Sequence, residues 1–176
     1  MPTIHSFPPI AGHQPKILIL GSMPGEASLA ANQYYAHQRN AFWPIMASLL
    51  HIQPDVPYEE KIDALTSSPI ALWDVLESCR RPGSLDSSIE ADTQVVNDFR
   101  SFFSVHPKIT HVFFNGGKAE ACFKRYVSPT LDPGVLRLTR LPSTSPANAR
   151  LSFNDKRGIW LETIHAALAR ESADGY

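Results

Sequence analysis

Cysteine, net charge and long apolar runs are all scarce in this sequence. The two cysteines, Cys79 and Cys122, lie far apart and form no metal-type pair. That argues against a disulfide framework and for a reduced, cytoplasmic protein. No apolar run approaches the roughly 20 residues needed to span a bilayer, so no membrane role is expected. The first fifteen residues, MPTIHSFPPIAGHQP, lack a basic region followed by an apolar one. They are expected to be a Pro-rich lead-in rather than a secretory signal. The formal net charge of −1 excludes bulk electrostatic attraction to nucleic acid. A local basic face stays open through Arg80-Arg81, Lys124-Arg125, and Arg137 with Arg140 and Arg150. The plainer use of each is a solvated surface charge. The seven histidines are scattered without His-x-x-x-His spacing, and there is no Cys-x-x-Cys, so no metal is expected.

What is present is an ordinary globular composition. A chain of 176 residues, 43% hydrophobic and 19% charged, is long enough for one domain with a real core. Strand-like and helix-like runs alternate, which predicts an α/β fold with a mostly parallel sheet. Expected strands are 16–21, 69–75, 110–115 and 135–141. Helices are expected through Phe42, Trp43, Ile45, Met46, Leu49 and Leu50, with Asn40 as a cap and Pro44 in the first turn. Others are expected over 58–65, over 93–103, through 119–126, and over 156–170. The last carries a stripe of Ile159, Trp160, Ile164, Ala167 and Leu168. Residues 77–92 are rich in turn formers and predict a long loop.

The familiar catalytic motifs are missing. GSMPGEAS lacks the Gly-Lys-Ser/Thr ending of a phosphate loop. Ser22 lacks the surround of a nucleophile elbow. Instead, three loops leave the carboxyl ends of expected strands: 21–40, 115–118 and 141–150. In a parallel sheet these ends share one edge, where ligands bind. Tyr34 and Tyr35 offer flat faces for stacking a base. Asn115 can present donor and acceptor to a base edge, and Asn40 can hold a water. Each also has a plainer use: packing for Tyr35, a helix cap for Asn40, a strand-ending turn for Asn115.

Four stretches together carry a resemblance: GSMPGEASLAANQYYAHQRNAFW, LWDVLESCRRPGSLDSSI, THVFFNGGKA and LPSTSPANA. They resemble the uracil-DNA glycosylase superfamily, and within it the hypoxanthine-DNA (deoxyinosine) glycosylases, over about 16–168. The resemblance implies a three-layer αβα fold with a mostly parallel four-stranded sheet in a single domain. It implies hydrolysis of the bond between a damaged base and deoxyribose, after the nucleotide is flipped from the duplex. Tyr35 would stack under the base and Asn115 would read its edge. Gly21, Ser22, Met23 and Pro24 would line the pocket. The loop Ser143, Thr144, Ser145, Pro146, Ala147 and Asn148 would enter the DNA.

Two departures from the superfamily pattern shape the expected chemistry. Met23 stands where many members carry Asp or Asn, and a thioether cannot orient water. Asn40, in RNAFW, resembles the asparagine assigned to catalysis in the hypoxanthine branch. The last loop, LPSTSP, holds no histidine to protonate the leaving base. A neutral amide is a poor general base, so an oxocarbenium-like sugar is expected to form before water attacks. No cofactor is expected, the partner is damaged DNA, and the chain is expected to act as a monomer. Lys118 offers a Schiff-base route to strand cleavage, but reads more simply as a surface lysine opening a helix. Three alternatives stay open: an enzyme for uracil or mispaired uracil and thymine, a catalytically silent nucleic-acid-binding module of the same fold, and a small-molecule α/β domain.

Overall fold

A computed structural model of the chain describes residues 2–173. In chain order its strands and helices are β1 (Ile4–His5), β2 (Ile17–Gly21), α1 (Glu26–Ala31), α2 (Phe42–Leu50), α3 (Tyr58–Thr66), β3 (Ile70–Asp74) and β4 (Leu76–Cys79). They continue with β5 (Val95–Val96), α4 (Phe99–Val105), β6 (His111–Asn115), α5 (Gly117–Cys122), β7 (Arg137–Leu141) and α6 (Phe153–Ala173).

Four strands form a fully parallel sheet in the order β3-β2-β6-β7. β2, β3 and β6 are buried along their whole length, as expected of parallel strands covered on both faces. Side chains alternate between two cores. Ile17, Ile19, Leu72 and Phe113 pack with Phe42, Met46, Leu65, Trp160 and Ile164 from α2, α3 and α6. Leu18, Leu20, Trp73, Val112 and Phe114 pack with Phe99, Phe102, Ala119 and Cys122 from α4 and α5. The result is the αβα sandwich that the sequence predicts.

The chain leaves β2 toward β3 on one side, then crosses to β6 on the other. The carboxyl ends of β2 and β6 therefore flank a topological switch point, where departing loops diverge and a crevice opens. The strand register brings Gly21 opposite Asp74 and Asn115 opposite Leu141. One rung of the sheet thus supplies the floor of that crevice.

The structure differs from the sequence expectation in several places, beginning with helix α1 inside the expected loop 21–40. The stretch 77–92 is not one loop: β4 opens an antiparallel sheet, order β1-β4-β5, to which the lead-in contributes β1. The helix expected over 93–103 begins only at Phe99, because Val95–Val96 pairs with β4 and Asp98 caps the helix by accepting the Ser101 N–H at 3.1 Å. Ile159 lies on the solvent side of α6, so the apolar stripe is narrower than its sequence suggests. The lead-in also closes an edge. Ile10 exchanges two backbone hydrogen bonds of 2.8 Å with Leu72 on the outer side of β3. The opposite edge, β7, exposes Arg137 and Arg140, a charged deterrent to strand pairing.

Candidate active site

A cavity of about 470 Å³ opens over the carboxyl ends of the parallel strands, within the usual range for a ligand site. Its lining includes Gly21 to Pro24, Tyr35, Asn40, Asn115 and Ser143 to Asn148. The structure brings all of these sequence-selected residues around one space. It adds three carboxylates the sequence reading did not select, Glu26, Asp74 and Asp86.

The neighbouring tyrosines part company. Tyr34 is buried in the core, its ring edge-on to Phe7 and its hydroxyl donating to the Pro8 carbonyl at 2.8 Å. It is a packing residue rather than a second stacking face. Tyr35 has φ +53°, a left-handed conformation uncommon for an aromatic residue. Asn32 and His51 share it, but they close helices α1 and α2. Tyr35 closes none, and strain of this type collects at functional sites. Its ring stacks on Phe42 with centroids 4.0 Å apart, and Phe42 stands edge-on to Trp43 and Trp160. The platform is thus braced by the core.

Gly21 makes this placement possible. A Cβ there would fall 2.6 Å from both the Tyr35 hydroxyl and Asp74 Oδ1. Any other residue would push both groups away. The Tyr35 hydroxyl and Asp74 Oδ2 are buried and make no hydrogen bond among the described residues. Burial, then the Asp74 charge, raises the tyrosine hydroxyl well above its ordinary range. Asp74 is 3% exposed. Burial, then the negative charge of Asp86, pushes its carboxyl up to about 7, while Arg81 pulls the other way. Loss of water and the charged neighbours, not backbone hydrogen bonds, set that value.

The first loop is held from below. Ser22 donates its hydroxyl to Asp86 Oδ1 at 2.5 Å. Arg81 is buried, and donates to the Pro24 carbonyl at 2.7 Å and to the Gly83 carbonyl at 2.7 Å. It is therefore a loop brace, not the surface charge that its sequence position suggests. Met23 is buried in the core cluster below while it lines the cavity.

Asn40 combines its two expected uses. Its Oδ1 accepts the Phe42 N–H at 3.0 Å at the start of α2, an Asx-type turn at the helix entry. The formal cap position falls to Ala41, one residue later than expected. The Asn40 Nδ2 makes no hydrogen bond among the described residues, and the side chain lines the cavity.

Asn115 is tied differently. Its Oδ1 accepts the Thr144 N–H at 2.9 Å and its Nδ2 donates to Thr144 Oγ1 at 2.9 Å. The Thr144 carbonyl accepts the Ala41 N–H at 3.0 Å. Thr144, 1% exposed, thus joins the loops carrying Asn40 and Asn115. Gly116, at φ +94°, lets the turn after β6 approach Ser143, which a Cβ would meet at 3.1 Å. From beneath, the buried Lys156 donates to the Asn148 carbonyl at 2.6 Å and the Ser145 carbonyl at 3.4 Å. Lys118 sits in the first turn of α5 and does not line the cavity. Among the described residues no group of His, Cys, Asp and Glu is arranged to hold a metal.

Sequence reasoning missed Asp74, Asp86, Arg81 and Lys156. For Asp74 a signal existed: an acid ending an apolar strand run, at the same level as Gly21 and Asn115. The others depend on distant partners.

Comparison with known proteins agrees with this architecture. The family model described as the uracil DNA glycosylase superfamily matches residues 8–164. A hypoxanthine DNA glycosylase from Methanosarcina barkeri is 32% identical over 159 residues, 90% of this chain and 96% of its own. Another of the same description, from Methanosarcina acetivorans, is 36% identical over 150 residues, 84% of this chain and 90% of its own. A solution NMR structure from Methanosarcina acetivorans, provisionally described as a uracil DNA glycosylase, superposes with a TM-score of 0.73 at 30% identity, covering 91% of this chain and 98% of that one. This chain belongs to the uracil DNA glycosylase superfamily.

Proposed function

We infer that the protein is a monofunctional DNA glycosylase that flips a deaminated base out of DNA and removes it by hydrolysis, with hypoxanthine as its base. The observation that carries this reading is the convergence of Tyr35, Asn40 and Asn115 on one cavity at the switch-point edge. The description of both Methanosarcina relatives as hypoxanthine DNA glycosylases supports the choice of base. Extrusion costs a few kcal/mol, offset in part by stacking on the braced Tyr35 ring, worth roughly 1–3 kcal/mol. Asn40, with Oδ1 fixed and Nδ2 unspent, orients water toward C1′ as the glycosidic bond stretches. Asn115 keeps a second lone pair and a second N–H for the base edge. The loop Ser143–Asn148 fills the gap in the duplex. Lys118 has no part in the reaction, so the strand stays intact after base release.

A uracil-removing reading has one observation in its favour, the description of the solved relative. The test is direct. Duplexes carrying one deoxyinosine, deoxyuridine or deoxyxanthosine are incubated with the protein, then treated with alkali. Cleavage at deoxyinosine alone is expected. Cleavage at deoxyuridine alone would replace hypoxanthine with uracil, and binding without cleavage would make the chain a silent module. Borohydride trapping on abasic DNA is expected to give no adduct.

A further inference from the structure

We propose that Asp74 is the general acid of the reaction: its carboxyl group gives a proton to N7 of the extruded purine as the glycosidic bond breaks. This assignment rests on the hypoxanthine reading above and adds the group that activates the leaving base.

The argument begins with geometry. Asp74 ends β3 beside Gly21, is 3% exposed, and lines the cavity. Its Oδ2 has no hydrogen-bond partner among the described residues. A buried polar atom without a partner is costly unless something else fills the role. Here the carboxyl group belongs to a residue that lines a cavity whose expected occupant is rich in acceptors. The Tyr35 hydroxyl and Asp74 Oδ1 each stand 2.6 Å from the point where a Gly21 Cβ would be. Their separation therefore cannot exceed twice that distance, and a base stacked on Tyr35 lies within reach of the carboxyl group.

Chemistry makes the same demand. When C1′–N9 breaks, its electron pair goes to the purine, and the charge spreads through the imidazole ring to N7. The last loop supplies no histidine, and the cavity lining holds one, His37, in the exposed stretch before Asn40. The proton of Asp74 passes to N7, and hypoxanthine leaves neutral. The water oxygen bonds to C1′ and sheds a proton to solvent. Solvent then returns a proton to the Asp74 carboxylate. The charged and titratable groups around Asp74 are Asp86, Arg81, Tyr34 and Tyr35. Burial and Asp86 outweigh Arg81, which keeps the proton on Asp74 near neutral pH, where a general acid works best.

The test is single-turnover release of hypoxanthine from a deoxyinosine duplex, read from about pH 5 to about pH 9. The wild-type rate is expected to fall about tenfold per pH unit on the alkaline side, above about pH 7. Asp74→Asn keeps the shape and a donor but cannot transfer a proton. Its rate is expected to be about 100-fold lower below pH 7, with no alkaline limb. With 7-deaza-deoxyinosine, wild type and D74N are expected to converge. D74N that releases hypoxanthine at the wild-type rate with the wild-type limb overturns the assignment. If D74N does not fold, the wild-type profile decides alone: a rate flat between about pH 6 and about pH 8 overturns it. Wild type that releases uracil but no hypoxanthine removes the purine reading and this assignment together. Hypoxanthine release by wild type with unaltered D74N removes Asp74 only.

Discussion

The two walls of the cavity are built on opposite principles. The wall above β2 and β3 leaves polar atoms open: Asp74 Oδ2 is buried without a partner, the Tyr35 hydroxyl makes no close hydrogen bond although the Asn115 amide lies near enough to act on it, and Asn40 Nδ2 makes no bond among the described residues. The wall above β6 and β7 is closed on itself. Asn115, Thr144, Ala41, Asn148 and Lys156 bond one another through side chains and backbone. Satisfied networks hold a shape, whereas unsatisfied groups wait for a ligand. The first wall is where chemistry belongs, and the second is the frame that keeps it in register.

Substitutions that strike the two walls separately test this contrast. The largest effect is expected from Asn40→Ala, which should lower single-turnover base release by about 100-fold or more while the fold survives. A rate near wild type would take Asn40 out of the chemistry and with it much of the contrast. Next comes the response of stability to Asp74→Asn. In the native protein this carboxyl stays protonated up to about pH 7, whereas in the unfolded chain it ionises near its ordinary value of 3.8. Between those pH values the folded state holds the extra proton, so stability falls as pH rises through that window and stays low above it. D74N abolishes the loss. Its gain, of the order of a few kcal/mol, should be full at pH 8 and absent near pH 4 in urea titrations, and a gain independent of pH would contradict it.

On the closed wall, Thr144→Val keeps the shape but strips Asn115 Nδ2 of its acceptor. It should cost about 1–3 kcal/mol of stability, read as a lower urea midpoint with unchanged slope. An unshifted midpoint would show that the frame is not held there. The smallest of the set is Tyr35→Ala. It should weaken capture of a deoxyinosine duplex by about 1–3 kcal/mol in a binding titration. Unaltered affinity would assign the ring to packing.

The parallel sheet was readable in advance because its information is local. ILIL before Gly21 and HVFF before Asn115 are apolar runs ended by turn formers, and such runs have few other uses. The antiparallel sheet was not readable. β1 and β5 are two residues each, too short for a period, and they exist only because β4 lies between them. Val95-Val96 mimicked the spacing of the following helix until Asp98 set its true start. In the site, Tyr35 and Asn115 could be chosen from side-chain chemistry alone. Tyr34 borders the cavity too, but its ring is buried edge-on to Phe7 and offers no free face. Arg81 was invisible as a functional group, and Asp74 showed only its place at the end of an apolar run, because the behaviour of both comes from burial.

The Ile10–Leu72 bridge has a bearing on how this protein behaves when shortened. It covers the outer rung of β3, the more apolar border of the sheet. A chain trimmed of its first twelve residues would offer that rung to any neighbour, and naked strand borders recruit one another. Light scattering of such a trimmed chain should show self-association growing with concentration, while the intact protein stays clear.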